Sequence, residues 1–143
     1  MEYEYKEINI KGSKKFIEQT IAALDLIKKS KKDYFKINKY LNSIRSNKIS
    51  GINLRTGVFH VGEPTAFHSL EWYAGAIVHD THHFYLHNIK KFSWIPINYK
   101  KHEELSTKEQ IRFLKVIKAP KELIKHCKEM LKTDYWLKEK RTW

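Results

Sequence analysis

The sequence predicts a single α+β domain, mostly helical, with about five helices and a small antiparallel sheet. Three observations predict it. The chain has 143 residues, which suits one domain over 1–143. Apolar residues recur at helical spacing along most of it, and strand-like runs are confined to the N-terminus and to 52–61.

Tyr3 and Tyr5 alternate with Glu2 and Glu4, the pattern of a short half-exposed strand. Gly12-Ser13 breaks it, and Ser13 can cap a helix. Phe16, Ile17, Ile21, Leu24 and Ile27 then predict an amphipathic helix over 14–30, closed by lysines at its negative end. A second helix is expected with Tyr34, Ile37, Leu41 and Ile44 on its apolar stripe. Ile52 to Leu54 and Val58 to Val61 read as two strands joined across Arg55-Thr56-Gly57. Gly62 and Pro64 predict a loop, and the helical pattern returns from Ser69 to about Lys90 with Glu71 in its first turn. Phe92 to Tyr99 is irregular around Pro96. A fourth helix is expected over 102–117, and Pro120 starts a fifth with Leu123, Ile124, Cys127 and Leu131 on one side. The tail from Tyr135 to Trp143 is aromatic and basic.

Composition narrows the function classes. An apolar fraction of 41%, with aromatics at 13%, excludes a chain disordered by composition. Cys127 is the one cysteine, so no internal disulfide forms and a cytoplasmic, reducing setting is expected. The acidic N-terminus lacks the basic and apolar regions of a signal peptide, and no apolar stretch approaches a membrane span, so no membrane association is expected. The net charge of +12 suits either solvated helix faces or an anionic partner such as nucleic acid. Most of it is Lys rather than Arg, which argues against bidentate phosphate reading, and no zinc-finger or RNA-recognition spacing is present.

Four of the eight histidines fall at 79, 82, 83 and 87 within one predicted helix. His79 and His83 lie one turn apart on one face, with Cβ atoms roughly 5–6 Å from each other. Two imidazoles so placed can converge on one zinc ion at about 2.0–2.1 Å per bond. His87 repeats the spacing but sits about 12 Å of helix rise beyond His79, so a third ligand must come from another element. His79-Asp80-Thr81-His82-His83 has the form HDxxH, the zinc-peptidase HExxH helix with its acid one methylene shorter. In the longer form the Glu is the general base, so Asp80 is the candidate for that role, or for orienting a ligand.

The candidates for the third ligand are Glu103, Glu104 and Glu109. Helical stepping from Glu103 meets Ser106, Thr107, Gln110, Leu114 and Ile117, a face small near the metal and apolar beyond. The face of Glu104 meets Lys108, and that of Glu109 meets Arg112, a cation unfavourable beside a metal. Glu103 is therefore the expected ligand and Glu109 the reserve.

The stretch GVFHVG at 57–62, followed by EWYAGAIVHD at 71–80, resembles small bacterial zincin-like proteins. These carry an HExxH or HDxxH helix and later a Glu-containing helix ending in a segment like Gln110 to Pro120. The resemblance covers about residues 57 to 132. It implies a minimal metallopeptidase-like fold, with His79 and His83 as ligands, Asp80 at the acid position and Glu103 placed by the alignment of Gln110. Lys118 departs from the small or Gly residue usual before the Ala-Pro pair. On this reading the sheet edge could align an extended peptide, and Tyr73, Tyr99 or Tyr135 could stabilise an oxyanion.

Two other functions compete. A His-Asp dipeptide also marks metal-dependent phosphohydrolases of the HD type, for which His60 or His68 and Asp134 would have to supply the remaining ligands. A basic, aromatic-rich helical domain could instead bind nucleic acid or a partner protein without catalysis, as a toxin or immunity component does.

Overall fold

The computed structural model describes residues 1–134. Strand β1 (Glu2–Tyr5) turns through Lys6, at φ 52°, into β2 (Ile8–Lys11), with which it pairs antiparallel. Ser13 caps helix α1 (Lys14–Ile27) by accepting the Phe16 N–H at 3.1 Å. Ser30 caps α2 (Lys31–Tyr40). Strand β3 (Ser43–Ser46) follows, then β4 (Gly51–Asn53) and β5 (Val58–Val61).

The sheet order is β1-β2-β3-β5-β4. Here the sequence expectation is corrected: the sheet is mixed, because β3 runs parallel to both β2 and β5. Helices α1 and α2 form the long crossover that a parallel pair requires, whereas short turns make both edge pairings antiparallel. Gly57, at φ 74°, closes the β4–β5 turn; a Cβ there would lie 2.8 Å from the Tyr40 carbonyl oxygen.

Two further expectations shift. Residues 8–11 form a strand that the sequence reading passed over. Ile44 is not on a helix stripe: α2 ends at Tyr40, and Ile44 is buried in central β3 between Ile10 and Phe59. Positions 37, 41 and 44 satisfy helical spacing by coincidence, and periodicity does not separate a buried strand from a helix continuation.

After β5 come the short α3 (Glu63–Ala66) and α4 (Leu70–Asn88), capped by Ser69, whose side chain accepts the Trp72 N–H. A 3-10 turn over Pro96–Asn98 leads into α5 (Tyr99–Val116), and α6 is Lys121–Met130. The described residues thus hold six helices, against about five expected; the extra one is α3, where a loop was predicted. None is long and apolar enough to cross a membrane.

One core joins the sheet to the helices. Ile8, Ile10, Ile44, Phe59 and Val61 are buried under Phe16, Leu24 and Ile27 of α1 and Tyr73 and Ile77 of α4. Each such side chain stabilises the fold by about 1.5–3 kcal/mol relative to exposure. Helix α4 is the hub, packed against α1, α2, α3, α5 and β4. Its small residues allow this: a Cβ on Gly75 would approach Leu114 at 3.3 Å and the Gln110 side chain at 3.4 Å, so α5 reaches α4 closely one turn before His79.

Helix α5 ends in a Schellman turn, with Ala119 N–H bonded to the Leu114 carbonyl at 2.9 Å and Lys118 N–H to that of Lys115 at 3.1 Å. Lys118 occupies the left-handed position at φ 55°. That conformation favours Gly over a residue with a Cβ. Lys118→Gly should therefore raise stability by about 0.5–1 kcal/mol in denaturant titration, and an unchanged midpoint would show the turn to be unstrained.

Candidate metal centre

Helix α4 presents His79 and His83 on the face turned to α5, and α5 returns Glu103 between them. His79 Nε2 lies 3.0 Å from Glu103 Oε2 and His83 Nε2 lies 2.9 Å from Glu103 Oε1. The two Nε2 atoms are 3.2 Å apart. All three residues are buried, and their ligand atoms lie within 4.8 Å of one another, so the group could hold a metal ion. Tetrahedral zinc bonds of 2.0–2.1 Å place adjacent ligand atoms about 3.3 Å apart, close to the spacing found.

The outer nitrogens of both rings are occupied. His79 Nδ1 lies 3.0 Å from Gln110 Oε1, an oxygen that only accepts, so this nitrogen carries a proton. His83 Nδ1 lies 2.7 Å from His102 Nδ1, and His102 Nε2 donates to the Phe92 carbonyl oxygen at 3.0 Å. With its proton spent on Phe92, neutral His102 offers a lone pair at Nδ1, and His83 donates to it. Burial chiefly, then the charge of His83, lowers the His102 pKa to about 4, which keeps it neutral. When neutral, both ligand rings thus point lone pairs from Nε2 at the carboxylate. Only protons on those nitrogens or a cation between them relieves the repulsion.

The ionisation tendencies agree. Burial opposes charge on His79, but Glu103, Asp80 and the bond to Gln110 outweigh it and raise its pKa. Burial likewise pushes the Glu103 carboxyl up, and His83 and His79 overrule it and hold it well below the carboxylate range.

The centre opens on a cleft of about 730 Å³. One wall is edge strand β4 with Gly51 and Ile52, and another is α6 with Leu123 and His126. Asp80 lines the same cleft and is half-buried. Trp94 lines it too, with its ring edge-on to His83 at 5.2 Å.

The other sequence candidates lie apart from the three ligands. Glu109 pairs with Arg112 at 3.0 Å, and Arg112 also binds Asp33 of α2, so the reserve ligand belongs to a helix-tying ion network. Glu104 pairs with Lys101 at 3.7 Å. His82 takes a bond from Lys36 Nζ at its Nδ1, 2.6 Å away; burial first, then Lys36, lowers its pKa to about 3. His87 Nδ1 accepts the Trp94 N–H at 3.0 Å and so fixes the cleft wall. Tyr73 is a core residue whose hydroxyl meets Thr20 Oγ1 at 2.7 Å. Tyr99 stacks on Trp94 at 4.2 Å, outside the cleft lining, and Tyr135 lies outside the described residues. Of the phosphohydrolase set, His60 sits in β5, His68 lines the cleft against Trp72, and Asp134 is exposed beyond α6. None joins the group formed by His79, His83 and Glu103.

Sequence reading missed His102 and the role of Gln110. Gln110 was on the correct face, two turns after Glu103. His102 precedes Glu103 directly, and its part depends on Phe92 folding back, which no local spacing announces. Comparisons with protein families, curated proteins and solved structures give no match to the chain.

Two outcomes follow. Replacing His102 with Phe keeps a ring but removes the acceptor for His83, and should weaken metal affinity about 10–100-fold in competition titration; unchanged affinity would leave His102 as packing alone. In chelator, the raised His79 pKa supplies stability that is full below its unfolded value and is lost as pH rises through the folded one. Melting temperature should therefore fall as pH rises above neutral, and a flat profile would contradict the shift.

Proposed function

We propose that the chain is a zinc-dependent hydrolase of peptide bonds, with His79, His83 and Glu103 as ligands and Asp80 as general base. The observation that carries this reading is the convergence of two imidazole lone pairs and one carboxylate on a shared point beside a cleft. Two nitrogens and a carboxylate suit zinc, although manganese, iron or nickel also accept such donors. Three protein ligands beside an open cleft match catalytic sites, whereas structural sites take four.

A divalent ion bound there would polarise a carbonyl and acidify water. The remaining work falls to the chain. Asp80, next to a ligand and lining the cleft, would take a proton from water and return it to the leaving amine. Its shorter side chain requires the water to approach α4 more closely than a Glu would. Gln110 and His102 hold the ligand rings in the tautomers that leave Nε2 free. Strand β4 is terminal in the sheet among the described residues, and Gly51 and Ile52 line the cleft, so its outer edge could pair with an extended peptide. Trp94 packs edge-on against His83 and His102. Of the tyrosines considered for the oxyanion, Tyr73 is in the core, Tyr99 stands outside the cleft lining and Tyr135 is outside the described residues.

The test pairs metal analysis with a peptidase assay. Purified protein should hold about one zinc per chain, lost in His79→Ala and His83→Ala. Asp80→Asn should keep the metal and lose activity by about 100-fold or more. Metal-free wild type after growth in zinc would remove the site, and full activity in Asp80→Asn would remove Asp80 from the mechanism.

A further inference from the structure

The chain carries a net charge of +12 from 28 basic residues, yet among the described residues no lysine or arginine lines the metal cleft. The cleft's charged lining is acidic throughout: Asp80, Glu103 and Glu122. The lysines gather elsewhere. Lys6, Lys28, Lys31 and Lys39 surround a separate hollow beside Tyr34 and Phe35 that shares no residue with the cleft. Among the described residues the lining of the cleft is thus opposite in sign to the chain's net charge.

Around the ligands the cleft is mostly apolar, with Ile52, Leu54, Trp94, Leu123 and Met130 in its walls. A divalent ion would be balanced by Glu103, which holds it, and by Asp80 beside it. Glu122 then remains as a further carboxylate of the lining, with Lys121 and Lys125 beside it on α6 but outside the lining. It stands in the first turn of α6, exposed, one turn before His126, which meets Trp72 edge-on at 5.4 Å. An ammonium or guanidinium group reaching Glu122 would also come near the indole of Trp72, whose ring face attracts cations.

We propose that this cleft selects a peptide segment that is apolar beside the metal and carries a Lys or Arg side chain where it passes Glu122, and that it rejects acidic and phosphorylated segments. The proposal rests on the metallopeptidase reading for the reaction, but its charge preference is separable from hydrolysis. Polyanions would be drawn to the lysine-lined hollow and repelled at the cleft, so a phosphoryl substrate is disfavoured at the metal.

The experiment uses the zinc-loaded full chain and three fluorescent peptides identical except at one position next to an apolar residue: Lys, Glu or phosphoserine. Each is made in a cleavable form and in a reduced-amide form that binds without cleavage. The Lys peptide should bind about fivefold more tightly than the Glu peptide, with the gap narrowing as salt rises. Glu122→Lys should reverse the order, while its melting temperature and zinc content report that the fold and the centre persist. Equal or tighter binding of the Glu or phosphoserine peptide overturns the proposal, as does an unaltered order in Glu122→Lys with zinc retained. Binding in the expected order without cleavage of any peptide supports the charge preference and counts against the peptidase reading alone.

Discussion

Two imidazole nitrogens held 3.2 Å apart, with a carboxylate closing the third side, are the constraint around which this molecule is arranged. Such a cluster is costly unless positive charge sits inside it. The surrounding structure makes the arrangement hard to escape. Gln110 and His102 hold the far side of each ring, and Gly75 lets α5 come close enough for Glu103 to reach both. The rings cannot turn away without breaking those bonds in a buried site. A built cluster of this kind differs from a chance gathering of polar side chains because its outer partners fix which atoms face inward.

Much of this was legible in the sequence, for identifiable reasons. Helix α4 announced itself through Ser69, Glu71 and a long helical pattern, and His79 and His83 follow from the geometry of one turn. Glu103 could be chosen over Glu109 because the residues following it at helical spacing are small or apolar, the signature of a packed face. The mixed sheet was not legible. The sense of β3 depends on a crossover through two helices, and Ile44 fits a helix stripe as well as it fits a strand. His102 and Trp94 escaped for a similar reason, since their places depend on how residues 92–98 fold over the helix pair. Local spacing records which residues share a face; it does not record which loop covers that face.

A part-buried ion network on another face of α4 explains several residues that resembled site candidates. Lys36, His82, Glu109, Arg112 and Asp33 tie α2, α4 and α5 together. Burial chiefly lowers the Lys36 pKa to about 8, and the nearby acidic groups resist the change. A histidine in such a network serves to accept a bond, and the adjacency of His82 to His83 in sequence puts the two on different faces of the helix. The same two helices therefore carry a ligand face and a fastening face, and the fastening holds the ligand face in register.

The groups that converge on the centre all come from one antiparallel pair of helices, with His79 and Glu103 only 24 positions apart. Bringing the ends of so short a loop together costs about 3 kcal/mol of chain entropy. Of the sheet pairings, β1–β2 and β4–β5 are local hairpins, but β2–β3 joins segments separated by two helices, and that contact is slower to find. The helical hairpin is thus able to assemble before the full sheet exists, and an ion captured there would act as a cross-link on the folding pathway.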